Sequence, residues 1–268
     1  MFLSWVQAAD EGQSRGVVGR ATLSLADKPR LEGLKTIWEQ DPAGGSGHFA
    51  LRLAVSPDGE NLFVASGDRQ EMTPAQDLQS NLGKILRLTL DGGHVDDNPF
   101  VDQHNTAATV WSYGHRNPLG IAFDGAGNLW SSEMGPRGGD ELNLIEPGVD
   151  YGWPETSEGD HYDGRKIRSH TERPDVEAPA AFWDPSISPA NLMIYAGEAF
   201  PQWQGDAFVG GLSGQALARI DLEGTTAEKA DEWDMGTRVR EVEEGPDGSI
   251  WLLTDGPSGR LLQLTPPR

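Results

Sequence analysis

Apolar residues along this chain fall in short alternating runs separated by turns rich in Gly, Asp and Pro, and helical periodicity is almost absent; only residues 73–80 look briefly helical. One unit recurs. SPDGENLFVASGD (56–68), DGAGNLWSSEMG (124–135), QWQGDAFVGGLSG (202–214) and GPDGSIWLLTDG (245–256) each read as a tight Gly-bearing turn, an apolar strand and a small-residue exit. A shorter strand precedes each copy (FALRLAV, PLGIAF, NLMIYA, VREVEE), and another follows it (KILRLTL, ELNLIE, ALARIDL, RLLQLTP). Antiparallel strands linked by turns and repeated in this order predict propeller blades, with a β-sandwich as the structural alternative. One β-propeller domain over residues 1–268 is expected, with no separate second domain.

In a propeller the innermost strand of each blade lines a central channel, so polar residues at strand entries converge although distant in sequence. In chain order these are His48 with Arg52, Arg116 with Asn117, residues 188–191, and Arg238 with Arg240. Converging cations repel unless an anion lies between them, so an anionic ligand is one reading; local pairing of each Arg with a carboxylate is the other. The stretch 111–154 is the densest in such chemistry. Its EMGPRGGDELN segment joins a Gly- and Pro-directed backbone to the carboxylates of Asp140 and Glu141, which suits a calcium ion, or else forms a solvated acidic turn.

Composition narrows the partners. A formal net charge of −21 argues against nucleic acid and against an anionic membrane surface. The absence of Cys removes disulfides, zinc–thiolate sites and thiol catalysis. No apolar run approaches a membrane span, and MFLSWVQAADEG lacks the features of a signal peptide, so no membrane insertion is expected. The tryptophans at 111, 130, 153, 183, 203 and 251 read as packing between blades.

GHRNPLG, EMGPRGGDELN, DYGWP and RVREVEEGPDG, with GHFALRLAVSPDG, SNLGKILRL and DDNPF, together resemble the soluble aldose sugar dehydrogenases that use pyrroloquinoline quinone (PQQ), in the glucose/sorbosone dehydrogenase family. The resemblance runs over nearly the whole chain. It implies a six-bladed propeller in which the quinone lies flat over the channel mouth and calcium clamps it. It implies oxidation of the anomeric hydroxyl of an aldose to a lactone, an external electron acceptor, a periplasmic or secreted location, and a monomer or homodimer.

Residue by residue, His48 matches the catalytic base. Arg116 and Asn117 match cofactor-binding positions, Arg116 also polarising the quinone carbonyl. Arg238 and Arg240 match arginines that hold cofactor carboxylates, and Tyr162 matches an aromatic near the cofactor. The carbonyls of Gly135 and Pro136 match ligands of the clamping calcium. Glu141 and Tyr151 match a second calcium-binding pair, Tyr151 through its carbonyl because a neutral phenol is a poor calcium ligand.

Two departures from the family pattern stand out. Ser213 occupies a cofactor-contacting position where the family commonly has a lysine. The first residues resemble the middle of the family's opening blades, so at least one N-terminal blade and an upstream Gln have no counterpart here, and a fragment of a longer protein is expected. Readings of other classes are a non-catalytic ligand-binding propeller, favoured by these departures, and a calcium-dependent lactonase, which the Arg-rich entries disfavour.

Overall fold

A glycine with positive φ stands in the turn of each of the four repeated hairpins: Gly59 at 76°, Gly127 at 90°, Gly205 at 91° and Gly248 at 75°. Glycine takes these angles without the Cβ clash that other residues meet, and the tight return of the chain depends on them. Three of the turns are also closed by an aspartate accepting a local backbone N–H: Asp58 from Glu60, Asp124 from Ala126 and Asp247 from Ser249. The computed structural model describes residues 1–26 and 28–267, with Glu11 described by its backbone only.

The chain divides into two compact units. The first, Met1–Asn117 with Glu146–Pro154, holds two antiparallel sheets. One is β1 (Phe2–Ala8), β2 (Ser14–Ser24) and β3 (Arg30–Glu39); the other is β4 (Ala50–Val55), β5 (Asn61–Ser66), β6 (Lys84–Thr89) and β7 (Val110–Tyr113), each in sequential order. The second unit, Pro118–Ile145 with Glu155–Arg268, holds three. These are β8 (Pro118–Phe123), β9 (Leu129–Glu133), β10 (Asp140–Ile145) and β11 (Ala181–Trp183); β12 (Pro189–Ile194), β13 (Ala207–Gly211), β14 (Ala216–Glu223) and β15 (Thr226–Asp234); and β16 (Val239–Glu244), β17 (Ile250–Thr254) and β18 (Leu261–Leu264).

The fold is therefore all-β and of the propeller type. The described residues form five up-and-down sheets; the resemblance implied a six-bladed ring with at least one N-terminal blade missing from this chain. Every strand of the four repeats lies where the apolar runs place it. The sheet β1–β3 precedes the first repeat and has no copy of its turn signature. Of the briefly helical stretch, Thr73–Gln76 forms a 3₁₀ turn.

Strands β5, β9 and β13 are buried along their whole length, because each lies inside its sheet with both faces covered. In the first unit Leu62 and Val64 of β5 pack with Leu86 and Leu88 of β6 and with Val18 and Trp38 of the opening sheet. In the second unit Trp130, Trp183, Leu192 and Ile220 share one core, and Tyr195, Phe208, Val242 and Leu252 another. Burial of each large aliphatic side chain contributes about 1.5–3 kcal/mol.

The same irregularity recurs at the start of each repeated unit. The register against the second strand slips between Ala50 and Leu53, Pro118 and Gly120, Pro189 and Leu192, and Val239 and Glu241. Such bulges bend the strand and re-aim its side chains. Candidate residues lie at or beside each slip.

Within the second unit β12 packs against both β8 and β16. The approach of β8 to β12 is close enough to require glycine at Gly120, where a Cβ would stand 2.4 Å from the Leu192 nitrogen and 2.5 Å from Ser132 Oγ. Gly120→Ala is accordingly expected to destabilise the protein by about 1–3 kcal/mol through overpacking, read as a lower urea midpoint at unchanged slope. An unchanged midpoint would show that the two strands separate freely.

Candidate functional site

His48 sits on a loop whose backbone is strained. Its φ is 48°, and Ala50 and Leu51 follow at 56° and 64°. Each such residue costs about 1–3 kcal/mol and persists only where its surroundings enforce it. The imidazole is held by Asp68, whose carboxylate is 0% exposed and whose Oδ1 lies 2.7 Å from His48 Nδ1. Asp68 Oδ1 also accepts from the Gln70 backbone N–H at 2.8 Å, and Oδ2 accepts from Trp153 Nε1 at 2.8 Å. A carboxylate accepting these bonds assigns the proton of the neutral imidazole to Nδ1, which leaves a lone pair on Nε2. With 15% of its side chain exposed, His48 is held from one side and reachable from the other.

The remaining groups of the first unit converge on this pair. The Arg116 carbonyl accepts from the Asp68 N–H at 2.8 Å, and the Arg116 guanidinium lies 5.3 Å from the centroid of the Trp153 ring. Trp153 is fixed through its carbonyl by Gln76 Nε2, which also reaches Asp150. Asn117 is buried, and its Oδ1 has no protein partner. It sits beside the His48 backbone: a Cβ on Gly67 would fall 2.0 Å from the His48 carbonyl oxygen and 3.1 Å from Asn117 Oδ1. Tyr151 is buried, stacked on His115 with ring centroids 4.8 Å apart, and its Oη accepts from the Glu146 N–H.

Beneath the turn that carries Gln76, buried Lys84 donates to the carbonyls of Pro74, Ala75 and Leu82 at 2.8–2.9 Å. Burial pushes its pKa down to about 7, a fall that the carboxylates of Asp77 and Asp150 oppose because they stabilise the charged form.

In the second unit a cleft of about 780 Å³ is lined by Pro136, Tyr162, Lys166, Ser186, Ser188 and Ser213, among others. Tyr162, 73% exposed, stands on its lip. The wall is fixed by Asp140, which accepts from the Gly135 N–H through Oδ1 and from Ser186 Oγ and the Ser188 N–H through Oδ2. The sequence pattern offers Asp140 as a hard-oxygen donor for a cation; in the structure its carboxylate instead ties two loops together. Ser213 Oγ bonds Ser188 Oγ at 2.7 Å and the Ser186 carbonyl at 3.1 Å, so it forms a neutral part of the wall. Arg137 and Lys166 bring positive charge to the cleft, and Glu158, Asp160 and Asp184 bring negative charge.

Glu141 faces Glu133 across the β9–β10 ladder, with Asn143 facing Ser131 beside them. All four are buried. Burial and the Glu133 carboxylate raise the Glu141 carboxyl well above the usual range. Asn143 Nδ2 donates to Glu141 at 3.1 Å, while Asn143 Oδ1 and Ser131 Oγ have no protein partner. Two carboxyls beside unpartnered oxygens suit a hard cation. Among the described residues no group of three or more His, Asp or Glu side chains is poised for a metal, so a cation here would draw on amide, hydroxyl and carbonyl oxygens as well.

Arg238 and Arg240 both reach Asp255 Oδ2, at 3.2 and 2.6 Å, and hold its carboxyl below the usual range. The local pairing weighed for the arginines thus holds for these two in this structure. Asp68 and Trp153 join His48 in the first unit, and Glu133 joins Glu141 in the second, although the sequence pattern does not single them out for it. Trp153, expected to pack between blades, has its indole N–H bonded to Asp68. The SGD exit of the first repeat is the available signal for Asp68.

The aldose sugar dehydrogenase YliI of Escherichia coli is 37% identical over 272 residues, covering 99% of this chain and 73% of that protein. The crystal structure of the soluble aldose sugar dehydrogenase of Escherichia coli in its apo-form superposes with a TM-score of 0.93 at 36% identity, over 99% of this chain and 78% of that one. The PQQ-bound aldose sugar dehydrogenase of Streptomyces coelicolor gives a TM-score of 0.76 at 31% identity, over 98% of this chain and 75% of that one. The family model described as Glucose / Sorbosone dehydrogenase matches residues 1–263, and with that extent of match the chain belongs to the glucose/sorbosone dehydrogenase family.

Proposed function

We propose that this protein is a quinoprotein oxidoreductase that oxidises the anomeric hydroxyl of aldose sugars to lactones. The observation that carries the reading is His48, held by Asp68 at 2.7 Å with Nε2 left as the acceptor. The relatives' names supply the substrate class and, through the PQQ-bound structure, the cofactor. When bound, PQQ would take the hydride leaving the sugar's C1.

In this reading His48 Nε2 receives the hydroxyl proton as that hydride departs, and Asp68 stabilises the imidazolium that results. Arg116 and Asn117 serve the cofactor, Arg116 as a cation toward developing negative charge and Asn117 through its unpartnered Oδ1. Electrons pass on to an external acceptor. A periplasmic or secreted location and a monomeric or homodimeric state belong to the same reading. No helix among the described residues is long and apolar enough to cross a membrane.

The cleft's size and chemistry fit a planar carboxylated cofactor. Its volume of about 780 Å³ lies in the range of small-molecule sites. Tyr162 offers an aromatic face, and Arg137 and Lys166 bring positive charge, Lys166 from within a 2.7 Å pair with Asp160. Glu158, Asp160 and Asp184 also line the cleft, and a divalent cation bound there would offset the repulsion between these carboxylates and an anionic ligand. The carbonyls of Gly135 and Pro136 are proposed as its ligands. Glu141, with Glu133, Asn143 and Ser131 around it, is proposed to hold a second calcium. Arg238 and Arg240 would exchange Asp255 for cofactor carboxylates.

The carrying test is a PQQ titration with calcium, followed by dye reduction with glucose. His48→Ala should abolish dye reduction while PQQ binding stays within about threefold, since binding and proton transfer use different groups. Equal loss of both would make His48 structural, and binding by neither protein would sink the cofactor assignment. Asp68→Asn should lower kcat about a hundred- to ten-thousand-fold with little change in KM, because an amide can hold the wrong tautomer. A kcat within twofold of the parent would remove Asp68 from the mechanism.

For calcium, chelation should lower the melting temperature by several degrees and added calcium restore it, as for any ligand bound to the folded state alone. Glu141→Gln should blunt that response. A variant that responds as fully as the parent would place the responsible ion elsewhere.

A further inference from the structure

Arg69 is 0% exposed, and its guanidinium makes no use of a carboxylate in the bonds that hold it. Nε donates to the Gly47 carbonyl at 2.9 Å. One terminal nitrogen donates to the Ser14 carbonyl at 2.8 Å and to Gln40 Oε1 at 3.4 Å, and the other to the Gly45 carbonyl at 2.9 Å and Ser14 Oγ at 3.2 Å. The cation also stacks on the Phe49 ring, 3.6 Å from its centroid. The residues so gripped, at 45, 47 and 49, flank His48 on both sides.

The backbone makes the same connection. The Arg69 N–H reaches the His48 carbonyl at 3.4 Å, and the Gly67 N–H reaches the Phe49 carbonyl at 3.3 Å. A Cβ on Gly45 would fall 1.7 Å from the Arg69 carbonyl oxygen, so the two loops touch backbone to backbone. Consecutive residues therefore act on different parts of one loop, Asp68 on the imidazole and Arg69 on the chain to either side of it. Arg69 itself has a φ of 56°, a conformation uncommon for a long side chain, which turns the guanidinium back onto the His48 loop.

We infer that Arg69 is a positioning residue for His48, fixing the strained loop so that the imidazole stays in register with Asp68 and keeps Nε2 free. The inference rests on the reading of His48 as the catalytic base. The geometry suits arginine alone. A planar fork of five N–H groups satisfies five oxygen acceptors while stacking on an aromatic face; a lysine carries the charge but has three donors and no plane. Burying a cation against neutral acceptors is unfavourable unless all of its donors are used, as they are here. A packing role alone would not need this set.

The test compares Arg69→Lys with the parent in two readouts. The first is the imidazole ¹⁵N and ¹³C spectrum of His48, assigned by the signal lost in His48→Gln. In the parent it should report a single tautomer protonated on Nδ1. In Arg69→Lys it should shift toward a mixture of tautomers. The second is dye-linked sugar oxidation, where kcat should fall about ten- to a hundredfold with KM within about threefold, the signature of a displaced reacting group.

A purely structural role would lower the melting temperature and leave the spectrum of the folded protein unchanged, and that result overturns the inference. Should Arg69→Lys fail to fold, Phe49→Leu removes only the stacking partner and is judged by the same spectrum, unchanged signals again overturning the inference. If His48→Ala retains activity, the base assignment fails by itself; the His48 spectrum still decides whether Arg69 positions the ring.

Discussion

The first unit depends on one buried carboxylate. Asp68 receives the His48 ring, the Trp153 indole and the Gln70 backbone, and its own N–H donates to the Arg116 carbonyl. A carboxylate withdrawn from water is tolerated only when hydrogen-bond donors replace the lost hydration, and here each donor comes from a different part of the chain. Removing any one donor leaves the remainder of a buried charge uncompensated. The arrangement is therefore cooperative: the loop of His48, the exit of β5 and the DYGWP segment hold one another in place. The bond that satisfies Asp68 also sets the imidazole tautomer.

The second unit poses the opposite electrostatic problem. Asp140 is satisfied by the donors of Gly135, Ser186 and Ser188, which makes it a tie between loops. Glu141 instead faces a second carboxylate, Glu133, across the ladder, and burial together with that like charge raises the Glu141 carboxyl. A buried carboxyl of this kind either keeps a proton or waits for a cation. The unpartnered oxygens of Asn143 and Ser131 beside this pair are the feature on which the proposed calcium at Glu141 rests.

Local pattern made the repeated strands legible. A Gly-bearing turn, a short apolar run and a small-residue exit specify a hairpin whatever lies around it, so each run became a strand where the spacing put it. The opening sheet lacked that turn and was invisible to the repeat. Pairing at long range was not legible at all. Asp68 is 20 positions from His48 and 85 from Trp153, and nothing in the residues between announces either bond. The blade count and the missing N-terminal blade came from the resemblance and not from the repeated pattern of these residues. Charge patterns were ambiguous for a physical reason: Arg238 and Arg240 lie two positions apart on a chain rich in acids, and Asp255 reaches both.

The register slips at β4, β8, β12 and β16 connect the repeat to the chemistry. A regular strand presents alternate residues to opposite faces, so neighbours within it cannot bear on one place; Arg116 and Asn117 escape that rule by lying just before β8 begins at Pro118. A bulge breaks the alternation and adds twist, and repeating it at the same end of each first strand puts irregular, polar-rich backbone at equivalent positions of successive sheets. The positive φ values at His48, Ala50, Leu51 and Ser188 belong to these ends. Strain of that kind survives only against firm support, and the fully buried β5 and β13 beside it provide the support. The fold thus separates its labour along each hairpin. The second strands carry the hydrophobic core, which leaves the entries of the first strands free to hold geometries that a core could not.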